Sequence, residues 1–259
     1  MALIVMAVHD TVENNRTQYT RRTLYSLQET VNFAVHRMVI VDNGSCEATK
    51  KFLHLMTGSG TTVITNKTNV GTANAVNQGL RLRVPNEYVI KMDNDVVIHT
   101  QQWVEVMQDV MQRMPTIGIL GLKRVDLLET PYSINPLQRS RLLMVPQTIG
   151  QRWRIVEECK HIMGTCTMLA PALLDRIGYF YQMGSLYGFD DSLMCVRSKC
   201  AGFINCFLPH IDIDHIDTGS AVDYIKWKEG VAHNVLSLYA AEEAAYYNGV
   251  KDVYYDGIV

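Results

Sequence analysis

Two aspartates separated by one residue come directly after an apolar segment of the chain. Asp93, Asn94 and Asp95 follow Glu87–Met92, a run typical of a buried strand. Because alternate side chains of an extended backbone lie on one face, the two carboxylates can converge on one divalent cation. The carboxyl end of a strand is also where open α/β sheets bind ligands. The triplet therefore predicts a metal site, although a turn with solvated carboxylates has the same sequence pattern.

Two earlier turns contain residue types that suit a nucleotide. Asp42 ends the predicted strand Arg37–Asp42, where its carboxylate can accept hydrogen bonds from a base or a ribose, and Gly44 permits a tight turn. Asn69 and Gly71 precede a helical pattern, and the glycine allows a ligand to approach the backbone. Either turn alone is also typical of an ordinary strand-to-helix connection.

The second half of the chain holds a pair of adjacent aspartates and a late histidine. Asp190 and Asp191 stand at the predicted start of a helix, where carboxylates are favoured by the helix dipole and can cap the first turn. Carboxylates can equally serve as acid–base groups. His215 could be a metal ligand or a structural residue. The residues alone leave these alternatives open.

These motifs require a scaffold in which strands and helices alternate. In the first half, short apolar runs alternate with segments of helical periodicity, a pattern that predicts βαβ units around a mostly parallel sheet. The predicted strands are Ala2–Val8, Arg37–Asp42, Thr61–Thr65, Glu87–Met92 and Ile117–Leu122. Pro115 ends the helix before the fifth strand. The tail over residues 222–248 is predicted to be helical.

Regular periodicity is lost between Lys123 and Lys160. This segment contains three prolines, and four arginines surround Trp153. The arginines are Arg139, Arg141, Arg152 and Arg154. They could bind the phosphates of a nucleic-acid strand while the indole stacks on a base, or they could be solvated or pair with Glu157 and Glu158. An irregular segment of this length within a domain is usually functional or mobile.

The composition of the 259 residues restricts the class of protein. Hydrophobic residues make up 47% of the chain, enough for a buried core, and 24 Lys and Arg against 26 Asp and Glu leave a net charge of -2, which gives no global field for a polyanion. The six cysteines include no Cys-x-x-Cys pair and predict buried thiols rather than zinc ligands. No apolar run reaches the ~20 residues of a membrane span and no leader pattern is present, so we expect a soluble cytoplasmic protein.

The order of these motifs resembles that of glycosyltransferases with the GT-A fold, of the large family-2 type. In that family an Asp-Gly-Ser turn, an Asn-x-Gly helix start and an Asp-x-Asp triplet line the nucleotide-sugar site, and the similar segments here begin at Asp42, Asn69 and Asp93. The similarity covers most of residues 1–220. Its later motifs are Gly164, Ile177-Gly178, Phe189-Asp190-Asp191-Ser192-Leu193 with Arg197 and Gly202, and His215 with Gly219-Ser220. Any one motif is weak, whereas five in this order are specific.

The resemblance implies a GT-A fold, which is an α/β, Rossmann-like, mostly parallel sheet flanked by helices. It divides the chain into a nucleotide-sugar-binding half at residues 1–122, an acceptor-binding and catalytic-base half of the same domain at residues 123–220, and a C-terminal helical tail at residues 221–259. The implied activity is transfer of a sugar from a nucleotide-diphosphate donor, with uridine as the expected base, to an acceptor hydroxyl with inversion of configuration.

The resemblance also implies roles for the matched residues. Asp191 is the expected catalytic base, with Asp190 beside it. The expected ligands of Mn²⁺ or Mg²⁺ are Asp93, Asp95 and His215. The expected donor contacts are His9, Asp42, Asn69, Gly71, Lys91, Asp93 and Asn94. The expected acceptor contacts are Gly164 and, from the irregular segment, Arg152, Trp153 and Arg154.

The chain departs from the family pattern in three places. His9-Asp10 stands where the family usually has Pro-x-Tyr-Asn after the first strand, and Asp190 replaces a glutamate. The helix after Gly71 lacks the arginine that many relatives place near the pyrophosphate, and Lys91 or Lys228 is the candidate replacement.

Three other classes fit the sequence less well. A nucleotidyltransferase normally has a glycine-rich basic loop after the first strand, but His9–Arg16 has no glycine. A dinucleotide-dependent oxidoreductase needs Gly-x-Gly-x-x-Gly after a strand, and Gly58-Ser59-Gly60 lacks the third glycine. A non-catalytic carbohydrate- or nucleic-acid-binding module would not need Asp93, Asp95 and Asp191. For the acceptor, a saccharide and a hydroxymethylated base in viral DNA both stay open.

Overall fold

The computed structural model describes residues 1–58, 60–124, 139–217 and 222–257, which form ten strands and seven helices. The strands are β1 (Ala2–Val8), β2 (Arg37–Asn43), β3 (Thr61–Asn66), β4 (Tyr88–Met92), β5 (Val96–Ile98), β6 (Ile117–Arg124), β7 (Arg139–Pro146), β8 (Trp153–Cys159), β9 (Cys166–Leu169) and β10 (Ile204–His215). The helices are α1 (Thr17–Thr30), α2 (Glu47–Met56), α3 (Thr72–Leu80), α4 (Trp103–Arg113), α5 (Pro171–Ile177), α6 (Asp190–Cys200) and α7 (Val222–Tyr247). Gly219, Ser220 and most of the irregular part of the 123–160 segment lie outside the described residues.

The strands form one mixed sheet in the order β3–β2–β1–β4–β9–β6–β10–β8–β7, with β5 paired to β10. Strands β3, β2, β1 and β4 are parallel to one another, and so are β6 and β10. Strand β9 is antiparallel to both of its neighbours, β4 and β6, and β8 is antiparallel to β10 and to β7. Helix α3 packs on β1 and β2, and α4 packs on β6. The predicted α/β class with a helix-flanked sheet is confirmed.

A glycine inside α3 allows this helix to pack closely on the central strand. Gly79 lies against Val5 of β1, and a Cβ at this position would overlap the valine side chain. Val5 and the other apolar residues of β1 are buried, apart from the half-buried Ala7. Glycine inside a helix costs about 1 kcal/mol relative to alanine. The close approach of α3 to β1 is the packing reason for this unfavourable choice.

Backbone hydrogen bonds join the second half of the chain to the end of β4. The N–H of Asp93 donates to the carbonyl of Thr165, just before β9, at 2.9 Å. The N–H of Ile216, after β10, donates to the carbonyl of Asp95 at 2.9 Å. Strand β5 follows the triplet at once and pairs Val96 with His215. The Asp93–Asp95 segment is therefore held between two strands that come much later in the chain.

The end of the described chain packs against α6. Arg197 of α6 is fully buried, and its guanidinium donates to the carbonyls of Ile177, Tyr179 and Val253. The predicted helical tail is present as α7, which packs on α6. Among the described residues, no helix is both long and apolar enough to cross a membrane.

The predicted division of the chain between residues 122 and 123 falls inside β6, a strand in the middle of the continuous sheet. The roles assigned to the three parts of the chain stay predictions.

Candidate functional site

Two cavities lie next to each other at the carboxyl ends of β1 and β4. The first has a volume of about 420 Å³ and lies beside the loops that follow β1 and β2. The second has a volume of about 380 Å³ and lies between the loop before β9, the start of α6 and the end of β10. Thr72, Asp93, Asp95 and Tyr187 line both cavities. The two aspartates of the triplet therefore lie where the cavities meet.

Asn43 organises the turns beside the first cavity. Its Nδ2 donates to Asn69 Oδ1 at 2.8 Å, and its Oδ1 accepts the backbone N–H of Val70 at 3.0 Å. Asn69 Oδ1 also accepts the backbone N–H of Gly71 at 2.9 Å. His9 Nδ1 lies 2.9 Å from the carbonyl oxygen of Asn43. His9 and Asn69, two of the predicted donor contacts, line this cavity.

Gly71 and Asp42, two further predicted donor contacts, are placed behind this lining. Gly71 has a φ of +91°, and a Cβ there would lie 2.6 Å from Gln182 Oε1, so the glycine makes room for a side chain of the protein. Asp42 is 1% exposed, and its Oδ1 accepts the backbone N–H of Ser45 at 2.8 Å. Neither residue is among those that line the two cavities. Their contact with a nucleotide stays a prediction.

Asn94, the middle residue of the triplet, is bound to Asp10. Its Nδ2 donates to Asp10 Oδ1 at 2.9 Å and to Thr20 Oγ1 at 2.7 Å. Asp10 is fully buried, and burial raises the pKa of its carboxyl against the opposing hydrogen bond from Thr20. Asn94 also lines the first cavity, but its side-chain amide already makes these two hydrogen bonds, which hold the triplet against Asp10 and α1.

Asp95 is bound by an arginine that the sequence analysis did not select. Arg16, the residue before α1, donates from Nη2 to Asp95 Oδ2 at 2.5 Å and to Asn94 Oδ1 at 3.2 Å. Its Nη1 forms an ion pair with Asp217. Arg16 is 4% exposed and lines the first cavity. This part of the chain contains no apolar periodicity, so nothing in the local pattern indicated a buried cation here.

His215 lies on the other side of Asp95. Its Nε2 is 3.5 Å from Asp95 Oδ2, and Asp95 Oδ1 is buried without a hydrogen-bond partner among the described residues. Burial alone would raise the pKa of Asp95, but the hydrogen bond with His215 and the charge of Arg16 hold it well below its usual range. Asp95 is therefore ionised over the whole physiological pH range.

Asp93 is bound by a different cation. Lys91 Nζ lies 2.5 Å from Asp93 Oδ1 and 2.6 Å from the carbonyl oxygen of Gly164. Burial would lower the pKa of Lys91, but the charges of Asp93 and Asp190 raise it well above its usual range. Lys91 lines the second cavity and not the first, whereas the sequence placed it near the pyrophosphate of a donor.

The two triplet carboxylates pair with different cations. Asp93 lies within hydrogen-bonding distance of the buried Lys91, and Asp95 lies within hydrogen-bonding distance of the buried Arg16. Within the part of the chain that the structure describes, no three His, Cys, Asp or Glu residues are gathered to hold a metal ion. The predicted three-ligand set Asp93, Asp95 and His215 is therefore not assembled here.

Two of these three residues nevertheless fit a divalent cation. Asp95 Oδ1 is a buried, unpartnered acceptor among the described atoms, and the imidazole of His215 is next to the same carboxylate. Carboxylate and imidazole ligands suit Mn²⁺. Asp93 lines the same two cavities and is 38% exposed at its side chain, so it is accessible from them.

Asp191 is the accessible carboxylate of the second cavity. Its Oδ2 accepts the backbone N–H of Gly164 at 2.9 Å, and its Oδ1 accepts the backbone N–H of Ser192 at 2.7 Å. His161 Nε2 lies 3.8 Å from Asp191 Oδ2. The side chain of Asp191 is 29% exposed. These contacts fix its orientation and leave part of the carboxylate open to the cavity.

Asp190 lies beside Asp191 but is buried. Burial, followed by the negative charge of Asp191, raises the pKa of Asp190 to about 6, although Lys91 acts in the opposite direction. The preceding residue, Phe189, has a φ of +59° and stacks on Tyr239 of α7, with ring centroids 4.6 Å apart. The two predicted catalytic carboxylates thus differ in exposure, Asp190 being buried and Asp191 partly exposed.

The predicted acceptor residues are divided between two places. Gly164 lies in the second cavity. Arg152, Trp153 and Arg154 lie on the β7–β8 hairpin at the edge of the sheet, and none of them lines either cavity. Of the other arginines near Trp153, Arg141 pairs with Glu158 at 2.5 Å on the same hairpin.

The match to a known family agrees with this arrangement of strand-end motifs. Residues 11–178 match the profile of Glycosyl transferase family 2, which covers more than half of the chain. The chain belongs to this family. The family-2 match includes the triplet and Gly164, and it ends just before α6, where Asp190 and Asp191 lie.

The following known proteins are similar to this chain at low sequence identity. The uncharacterized protein y4gI of Sinorhizobium fredii is 21% identical over 211 residues, which make up 77% of this chain and 23% of y4gI. A mannosyltransferase of Pyrobaculum calidifontis, solved with GDP-Man and Mn²⁺, has a TM-score of 0.62 at 16% identity over 86% of this chain and 59% of its own. TarS of S. aureus, residues 1–349 with UDP, has a TM-score of 0.62 at 18% identity over 93% and 65%.

These structures establish the GT-A fold for the family-2 chain described here. Their low sequence identity supports no more than the fold. The chain spans less than two thirds of the length of each of these relatives.

Proposed function

We propose that this protein transfers a sugar from a nucleotide-diphosphate donor to an acceptor hydroxyl with inversion of configuration. The observation that carries the proposal is the pair of cavities that meet at Asp93 and Asp95, with the accessible carboxylate of Asp191 in only one of them. We call the first cavity the donor cavity and the second the acceptor cavity.

The donor cavity holds the nucleotide and its diphosphate. Its lining of His9, Asn14, Asn43 and Asn69 offers side chains that can donate and accept hydrogen bonds, as a base and a ribose require. The solved relatives include one with GDP-Man and others with UDP or UDP-GlcNAc. We retain uridine as the expected base and treat guanosine as the alternative that binding experiments decide.

A divalent cation, Mn²⁺ or Mg²⁺, supplies charge neutralisation for the departing diphosphate when it is bound. Asp95 and His215 would hold it, with Asp93 as the third candidate. The support from this chain is the unpartnered Oδ1 of Asp95 beside the His215 imidazole. Two of the solved relatives contain Mn²⁺.

Asp191 acts as the general base of the proposed reaction. The acceptor oxygen forms a bond to the anomeric carbon, its proton passes to Asp191, and the bond to the diphosphate breaks with its electron pair remaining on the leaving group. Attack from the face opposite the diphosphate inverts the configuration in one step. The N–H groups of Gly164 and Ser192 orient the carboxylate for this transfer.

A neutral saccharide is the acceptor that the acceptor cavity favours. Its lining has four aspartates and two basic residues, Lys91 and Arg124, and this excess of carboxylates disfavours a polyanion. Arg152 and Arg154 of the β7–β8 hairpin lie outside the lining. Transfer to a hydroxymethylated base in DNA is the alternative outcome of the test.

The experiment supplies radiolabelled UDP- and GDP-sugars with Mn²⁺ to the protein together with neutral saccharides or hydroxymethylated DNA, at low and high salt. We expect label in a saccharide, with little response to salt. Asp191→Asn is the matched control, since it should bind the donor and fail to transfer. Label only in DNA, falling steeply with salt as counterion release requires, would replace the saccharide acceptor. No transfer and no donor hydrolysis with any nucleotide sugar would reject the proposed activity.

A further inference from the structure

Arg16 is held on several sides by groups that come from separate parts of the chain. Asp95 and Asn94 follow β4, Asp217 follows β10, and Arg16 itself precedes α1. Its side chain is 5% exposed, and that of Asp95 is 4% exposed. An arginine buried between carboxylates is strongly bound, because removing either partner leaves an uncompensated charge.

The oxygen that Arg16 binds is next to the proposed metal-binding imidazole. Arg16 Nη2 is 2.5 Å from Asp95 Oδ2, and His215 Nε2 is 3.5 Å from the same atom. A divalent ion held by Asp95 and His215 would add a second positive charge beside the guanidinium. The side chains of Arg16 and Asp95 are almost fully buried, and like charges in such a place repel strongly.

We infer that Arg16 competes with the divalent cation for Asp95, and that the diphosphate of the donor relieves the competition by taking Arg16 as its own partner. This inference rests on the proposed function, because it concerns the metal and the donor of that reaction. Arg16 is thereby a donor-binding residue as well as the group that makes metal binding depend on the donor.

The position of Arg16 permits this exchange. Arg16 lines the donor cavity together with Thr11, Glu13 and Asn14 of the loop after β1. Guanidinium groups bind phosphate oxygens with the same paired geometry that they use for carboxylates. A diphosphate in the cavity therefore offers Arg16 an anionic partner at the moment when the cation takes Asp95.

The inference has a thermodynamic consequence. If Arg16 opposes the cation and the diphosphate removes this opposition, then UDP strengthens the binding of Mn²⁺, and Mn²⁺ strengthens the binding of UDP by the same factor. We expect the wild-type protein to bind Mn²⁺ at least tenfold more tightly in the presence of saturating UDP, or GDP if that is the preferred nucleotide, than alone.

The test measures Mn²⁺ affinity by the electron paramagnetic resonance signal of the free ion, with and without UDP or GDP, after correction for the Mn²⁺ that the nucleotide binds without protein. In Arg16→Gln, Mn²⁺ alone should bind about tenfold more tightly than in wild type, and the strengthening by the nucleotide should be about tenfold smaller than in wild type. Arg16→Lys keeps the positive charge and should retain weak binding of Mn²⁺ alone. Arg22→Gln makes the same change of charge on the exposed side of α1 and should resemble wild type.

Circular dichroism and thermal unfolding verify that the variants fold. If Arg16→Gln does not fold, the wild-type measurement alone decides, since equal Mn²⁺ affinity with and without a nucleotide overturns the inference. Unchanged Mn²⁺ affinity in a folded Arg16→Gln protein also overturns it and leaves the proposed transferase activity intact. Absence of Mn²⁺ binding from wild type and variant, with either nucleotide, would reject both the competition and the metal in the proposed function.

Discussion

The donor and acceptor cavities share the Asp93–Asp95 triplet but approach it with different cations. From the donor cavity, Arg16 binds Asp95. From the acceptor cavity, Lys91 binds Asp93 and faces the carboxylates beside it. Two carboxylates that the sequence places on one strand end are therefore divided between two environments. The comparison shows that the spacing of an Asp-x-Asp triplet does not by itself determine which cation each carboxylate contacts. The neighbouring residues determine it.

The largest expected effect lies in the acceptor cavity. Asp191→Asn keeps the shape of the side chain but removes its ability to accept a proton, so sugar transfer should fall by a factor of about 10² to 10⁴. Donor binding should stay close to wild type, because Asp191 does not line the donor cavity. Transfer assays and donor titrations measure the two quantities. If Asp190→Asn shows the larger loss instead, the buried carboxylate is the base.

The next effect belongs to the donor cavity. Asp95→Ala removes a proposed metal ligand, and because charge stabilisation by a metal is worth several kcal/mol, donor affinity in Mn²⁺ should fall by about 100-fold. Calorimetric titration with UDP and GDP in Mn²⁺ tests this expectation. Without metal the variant should bind the donor at least as tightly as wild type, because Asp95 no longer holds Arg16. An unchanged affinity in Mn²⁺ would remove Asp95 from the metal site.

A smaller effect is expected from a substitution at Gly164, which lines the acceptor cavity and not the donor cavity. A Cβ at Gly164 would lie 2.9 Å from Lys91 Nζ and 3.2 Å from Asp191 Cβ, so Gly164→Ala must displace one of these groups by a few tenths of an ångström. We expect about a tenfold loss of kcat with donor binding intact, since small misplacements of catalytic groups slow turnover. Gly58→Ala, where a Cβ meets nothing within 4 Å, is the matched control. Loss of donor binding in Gly164→Ala would show that the cavities are not independent.

The smallest effect concerns stability and pH. The folded-state pKa of Asp190 is raised to about 6, so above that pH the native protein bears the cost of a buried charge that the unfolded chain does not. Asp190→Asn should therefore unfold about 3 °C higher than wild type at pH 8. The advantage should shrink as the pH falls from about 6 toward 4, where the wild-type carboxyl becomes protonated in both states. A variant less stable than wild type at pH 8 would mean that the attraction to Lys91 outweighs burial.

The strand-end motifs could be predicted because they follow from local chemistry. Apolar runs fix where β1, β2 and β4 end, and in a parallel arrangement those ends meet at one edge of the sheet. His9, Asn69 and Asp93 accordingly line one cavity at this edge, and their contact with a nucleotide stays a prediction.

The paired cations could not be predicted from the same information. Arg16 and Asp95 are 79 positions apart, and their contact depends on how α1 sits over the end of β4. Lys91 was selected as a donor contact, which stays a prediction, but its pairing with Asp93 was not foreseen, because alternation along a strand does not say which side chain a carboxylate contacts. The residues around Trp153 had a composition that suits nucleic acid, yet strand order places their hairpin at the sheet edge.

The buried guanidinium of Arg197 links helix α6 to a later part of the chain. Its Nε donates to the carbonyl of Val253 at 2.7 Å, 56 residues downstream. A ribosome adds about 5 to 20 residues per second, and amino-terminal parts fold first. Until Val253 has left the exit tunnel, the guanidinium of Arg197 lacks one of its three carbonyl acceptors. Helix α6, which begins with Asp190 and Asp191, therefore completes its packing only after residue 253 has been synthesised.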